Sequence, residues 1–269
     1  MPCPPSGGCG TPTRLHLGEA IFLFVAAIAG GVLNSVAGGG SFIAFPALLF
    51  TGVPPIQANA TNSVALWVGI TASGGAYRRR LNVARYVFIP LLVTSFAGGL
   101  LGAVLLLHTP QRTFMRLVPW LLLAATLLFI FGGRITGRRS SASDLEGQIS
   151  WQAVAVASGF ELVVATYGGY FGGGMGIMLL GMLAALGMRD IHAMNALKTV
   201  LGSAVNGVAV VTFIVAGAVV WPQAIVMIAG ALAGGWFGAH YAQKLEPRKV
   251  RWFVIAVGIV MTAYFFVKT

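Results

Sequence analysis

The chain has 269 residues, of which 57% are hydrophobic and only 9% charged, and its mean hydropathy is +0.86. Soluble domains carry about 25% charged residues, so there is too little polar surface here to coat a water-soluble globule. That composition excludes disorder, a soluble enzyme and a nucleic-acid-binding domain, and the lipid bilayer is the solvent that fits.

Residues 1–14 form a Pro/Gly-rich tail holding Cys3 and Cys9. Two thiols there permit a disulfide in an oxidising compartment or are incidental. The tail has no basic region ahead of the first apolar run, so no cleavable signal peptide is expected. A spanning helix takes about 20 mostly apolar residues. Eight runs meet or approach that length: Leu17–Ala37, Ala58–Tyr77, Tyr86–Leu107, Phe114–Gly133, Trp151–Phe171, Met194–Ala216, Trp221–Ala242 and Trp252–Val267. Trp151, Trp221 and Trp252 stand at run ends, where interfacial aromatics belong. Two further runs, Ser41–Thr51 and Met175–Leu186, are too short to span easily and predict re-entrant or broken helices. The expected fold is all-α and polytopic, with 8 long and 2 short helices.

Each short run follows three glycines, Gly38–Gly40 and Gly172–Gly174, at an offset of 134 residues. Asn59 matches Asn195, and the GGLLG at Gly98 matches the GGWFG at Gly234, both at an offset of 136. The chain therefore reads as one transmembrane domain, 15–269, made of two homologous halves, 15–135 and 150–267, joined by a polar linker at 136–149.

Cation placement decides the parity of those halves. If each short run returns the chain to the side it came from, the repeats are inverted. One side then holds Arg14, Arg112, Arg116 and Lys268, and the other holds twelve Lys or Arg from Arg78 to Arg251. Without that return the split is nine to seven. The positive-inside rule prefers the first arrangement. It gives a multi-pass protein of the plasma (inner) membrane with both termini outside.

Inverted repeats with interrupted helices point to a transporter whose site lies near the midplane. A glycine turn inside the bilayer frees backbone N–H groups, and the short helix after it aims its positive end at that turn. Such a place suits an anion, although glycines also serve simple close packing. Ser41 follows the first triplet. The segment after the first short run carries Asn59, Thr61, Asn62 and Ser63; its counterpart carries Asn195, Lys198 and Thr199. Lys198, aligned with Asn62, is the cation well inside a long run, and either meets an anionic substrate or snorkels to the interface. Asn34 and Asn206 are candidate ligands or interhelical hydrogen bonds. Glu161, in the middle of its run, is either the candidate for proton coupling or a protonated or paired structural carboxyl. No metal-ligand spacing, no nucleotide-binding P-loop and no nucleophile–base pair is present, so no cofactor, metal or enzyme activity is expected.

The segment VAGGGSFIAFPALLFTGVPPIQANATNSVALW resembles the first-repeat signature of the TauE/SafE sulfite exporter family. YGGYFGGGMGIMLLGMLAALGMRDIHAMNALKTVLGSAVNG resembles its second-repeat signature. The resemblance implies secondary transport, commonly outward, of small anions such as sulfite, sulfoacetate, related sulfonates or carboxylates. It maps the family's repeat motifs onto Gly38–Ser41 with Ala58–Ser63, and onto Gly172–Gly174 with Asn195–Thr199. An uncoupled anion channel of the same fold is the alternative. The expected partners are a small anionic substrate and the lipid bilayer, with no nucleic acid; a homo-oligomer is left open.

Overall fold

A computed structural model describes residues 15–36, 39–74, 84–136, 150–188, 191–241 and 247–268. These residues form ten helices and no strand: α1 (Leu17–Val36), α2 (Ser41–Phe50), α3 (Pro55–Gly74), α4 (Arg85–His108), α5 (Gln111–Thr136), α6 (Trp151–Tyr170), α7 (Met175–Ala185), α8 (Ile191–Val215), α9 (Trp221–Tyr241) and α10 (Pro247–Lys268). Every apolar run of the sequence is a helix, the two short ones included. Five helices, α1, α4, α5, α6 and α8, contain stretches long and apolar enough to cross a membrane. By length α3 qualifies as well, but its polar residues are turned inward: Asn59, Thr61 and Asn62 are all buried.

The burial pattern is that of a protein solvated by lipid. Large apolar side chains such as Ile89, Val93, Phe96, Leu100 and Leu105 on α4, and Val156, Phe160 and Val163 on α6, face outward, while Ser95, Thr126, Glu161 and Gln223 are buried. In lipid, polar groups gain by facing protein partners, and apolar groups lose nothing by facing tails.

The two short helices end alike. After α2, Gly52 takes φ +79°, and Val53 N–H reaches back to Leu48 O at 3.2 Å. After α7, Gly187 takes φ +86°, and Met188 N–H reaches Leu183 O at 3.1 Å. Each is a glycine in left-handed conformation closing the last turn, a position where a side chain would be strained.

The two halves interlock rather than sit side by side. The most extensive contacts are α1 with α9 and α4 with α6; next come α3 with α9 and α4 with α8. Each pair is the same contact with the halves exchanged. A Cβ on Gly98 would come within 2.7 Å of Leu162 O, and a Cβ on Gly234 would overlap Ile28 O. Likewise a Cβ on Gly99 would come within 2.7 Å of Val205 O, while one on Gly235 would meet Gly69 O more loosely, at 3.6 Å. Small residues let these backbones approach where side chains would hold them apart. Where α5 meets α10, Thr126 lies against Gly258 and Trp120 meets Phe266 edge to face at 5.1 Å. As residue numbers rise on α5 they fall on α10, so these two equivalent helices run antiparallel.

Candidate functional site

The third helices of the halves, α3 and α8, cross at the centre. Trp67 Nε1 donates to Ser203 O at 3.1 Å, and Gly207 leaves room for the indole. Trp67 and Ser203 are themselves equivalent, at the offset of 136. The side chains of interest lie one to two turns before that crossing on each helix.

In the first half, Asn62 Nδ2 donates to Ser41 Oγ, at the start of α2, across 3.2 Å. Asn34 packs beside Gly40: a Cβ there would come within 3.1 Å of the Asn34 Cβ. Gly39 is wedged between Val254 of α10 and Phe129 of α5. Gly38 lies outside the described residues. Sequence reasoning expects free amides at this turn, but three are engaged by the turn's own carbonyls. Phe42 N–H bonds Gly39 O, and Ile43 and Ala44 N–H both bond Gly40 O, at 3.1 to 3.2 Å. Gly40 itself has helical geometry, φ −58°, which turns its carbonyl along α2.

The second break is built differently. Gly172 and Gly174 both take φ +80°, and the chain turns sharply before α7. Met175 N–H reaches Gly172 O at 3.4 Å and Ile177 N–H reaches Gly174 O at 3.0 Å. Among the described residues, the amides of Gly173, Gly174 and Gly176 donate to no backbone carbonyl. Lys198 from α8 lies over this first turn: its Cδ is 3.6 Å from where a Gly176 Cβ would be, and its Nζ donates to Asn195 Oδ1 at 3.0 Å. Asn206, whose Nδ2 bonds Gly202 O on its own helix, brings Oδ1 to the edge of Gly172. Asn62 and Lys198 are therefore placed alike in the two copies. Each reaches from the third helix toward the start of the short one, but Asn62 bonds there with its amide, whereas Lys198 lies over the turn with its stem and keeps its ammonium on Asn195.

The structure brings the two breaks together. Gly39 touches Phe129 and Gly174 touches Ala125, one turn apart on α5, or about 6 Å along its axis. Phe45 of α2 meets Phe171 edge to face at 5.8 Å. Asn59 spans the halves: its Nδ2 donates to Tyr170 O, the last residue of α6, at 3.0 Å. Ser63 and Thr199, also equivalent, return their hydroxyls to the Asn59 and Asn195 carbonyls, both at 2.8 Å. Thr61 Oγ1 accepts from Val220 N–H at 3.1 Å, tying α3 to the start of α9.

Glu161 stands apart from both breaks. It is 0% exposed in the α4–α6 interface, where Ser95 Oγ donates to Oε1 at 2.5 Å and Oε2 has no partner. Counting nine residues back from Tyr170 puts it about 13 Å down α6. The equivalent positions in the other copy are Ala27 and Ala231. The same helix pair thus packs once around alanines and once around a carboxyl and a hydroxyl.

Sequence reasoning missed Tyr167. Its hydroxyl donates to Gly173 O at 2.6 Å and pins the second turn. The equivalent residue is Leu33, so comparing the two halves position by position could have found it. Ser95 is found only in three dimensions, because nothing local to it marks a partner 66 residues away.

Comparison with known proteins is consistent across the chain. The family model described as "Sulfite exporter TauE/SafE" matches residues 23–265. The probable membrane transporter protein ORF9 of Sinorhizobium sp is 31% identical over 245 residues, covering 89% of each chain. A probable membrane transporter protein of Haemophilus influenzae is 30% identical, covering 90% of this chain and 92% of its own. The probable membrane transporter protein YfcA of Escherichia coli K12 is 24% identical, over 90% and 87%. No solved structure matches the chain.

Proposed function

The chain belongs to the TauE/SafE sulfite exporter family, and from that membership we propose an alternating-access secondary transporter, working outward, for small sulfur-containing or organic anions. The observation that carries the anion reading is the second break. The positive end of α7 and three amides without acceptors among the described residues lie at one turn, the Lys198 stem passes over that turn, and its ammonium is held close by on Asn195 Oδ1. A cation at a helix N-terminus is repelled by the dipole, and an anion between them turns that repulsion into two attractions. Tyr167 holds the turn open in the geometry that aims those amides.

Inverted repeats fit this reading. The equivalent helices α5 and α10 run antiparallel, as an axis in the membrane plane requires, whereas an axis along the membrane normal would make them parallel. Both termini then lie outside the plasma membrane, with the twelve cations inside. Rocking one half against the other would expose the breaks to either side in turn. Glu161 is the candidate carrier of a coupling proton: it sits in an interface between the halves that such rocking would open.

The test is a thermal-shift series on purified protein with sulfite, thiosulfate, sulfoacetate and simple carboxylates. A ligand bound by the native state raises its melting temperature by mass action. At least one of these anions is expected to raise it in a saturable manner. No shift with any of them would overturn the anion reading.

A further inference from the structure

The first break and the end of α6 carry an unused chemistry opposite to that of the second. Asn59 and Asn62 are each 1% exposed. Their side-chain nitrogens are engaged, but Oδ1 of both has no partner. For Asn59 the orientation is forced, because Tyr170 O can only accept, so the nitrogen must face it and the oxygen must face away. A buried acceptor without a donor costs about 1–3 kcal/mol, and there are two, one turn apart on one face of α3. Native structures leave few such groups without a reason.

Their surroundings select the ligand. The two amides lie between the start of α2, through Ser41, and the last carbonyls of α6, through Tyr170. The C-terminal end of α6 is the negative end of its dipole. Neutral oxygens at the carbonyl end of a broken helix are the chemistry of a small hard cation. Among the described residues no carboxylate joins them: Glu19 opens α1 and Glu161 is bonded to Ser95. Oxygen ligands without formal charge favour a monovalent over a divalent ion.

We propose that Asn59 and Asn62 hold a sodium ion through their free oxygens, between the two helix breaks and beside the last turn of α6, with the anion on the amide end of α7. The break between those two helices then places opposite charges at opposite helix ends, and each ion favours the binding of the other. This rests on the reading of the chain as a coupled anion carrier. It adds to the proton path at Glu161 a second coupling ion with its own site.

The experiment measures melting temperature, and sulfite efflux from proteoliposomes, in sodium, potassium or choline chloride at fixed chloride. Sodium is expected to raise the melting temperature saturably and to speed efflux. Asn59→Ala should raise the half-saturating sodium at least tenfold. Asn59→Asp, which keeps an oxygen and adds charge, should tighten sodium binding, and shows that the site rather than folding is affected. Equal behaviour in sodium, potassium and choline would overturn the proposal, as would an unchanged sodium response in both variants. The anion shift is measured both in choline and in saturating sodium, and only its absence from both counts against the Lys198 site. That absence beside an intact sodium response would defeat the anion reading and leave this one standing.

Discussion

Asn59 Nδ2 donates to Tyr170 O at 3.0 Å, so a side chain of the first half closes the helix that leads into the glycine turn of the second. The bond ties the helix after the first break to the chain entering the second. In the proposed rocking motion, the N-terminal part of α3 and the C-terminal end of α6 move together unless this contact is the one that opens.

The interlocking of the halves depends on glycines whose missing side chains are replaced by backbone. A Cβ on Gly102 would overlap Thr166 O, and one on Gly234 would overlap Ile28 O. Backbone cannot step aside as a flexible side chain can. Gly102→Val and Gly234→Val should each abolish the monodisperse peak in detergent gel filtration. Gly18 and Gly159 have open space around them. Their alanine variants should elute like the parent, and alanine is also the better helix former by about 1 kcal/mol.

The alanines at 27 and 231 serve as an internal control for Glu161 and Ser95. If the polar pair were needed for packing, the copy without it would not form the same interface. The double variant Ser95→Ala with Glu161→Ala should therefore fold and melt within a few degrees of the parent. Glu161→Gln, fixed in an uncharged form, should keep anion exchange but lose the acceleration that a proton gradient gives the parent. Gradient-driven efflux that persists in Glu161→Gln would remove the residue from the coupling path.

Tyr167 should act through the turn it holds. Tyr167→Phe removes one hydrogen bond to Gly173 O, worth about 1 kcal/mol in stability. It should weaken anion affinity severalfold, as measured by titration calorimetry, because the amides of Gly173 and Gly174 lose their fixed direction. An unchanged affinity would confine the tyrosine to a structural role.

Much of this architecture is legible in the chain itself. Apolar length and the doubled glycine triplets give ten helices and two breaks, since both follow from local composition. The equivalence of Asn62 and Lys198 also comes from alignment of the halves, and the structure places both at the first turn of a short helix. What the sequence does not reveal is how far the two breaks differ. Both triplets look alike, yet Gly40 is helical and its carbonyl engages the amides that follow, while Gly172 and Gly174 are left-handed and leave three amides free. The first turn is packed by distant residues, Gly39 lying against Val254 and Phe129, whereas the second is pinned locally by Tyr167, six residues before Gly173. The Asn62 and Lys198 alignment leads one to expect charge from one half and neutral donors from the other; Asn59 and Asn62 instead spend their nitrogens within the fold and leave their oxygens unpartnered.

The central claim is that the second break binds the transported anion through Lys198. Efflux of radiolabelled sulfite from proteoliposomes holding the parent or Lys198→Ala tests it most directly, with gel filtration confirming that the variant is folded. A charge-assisted hydrogen bond is worth about 1.5–3 kcal/mol, so half-saturating sulfite should rise at least tenfold and efflux at low sulfite should fall to match. A folded Lys198→Ala protein with the parent's rate and half-saturation would contradict the account.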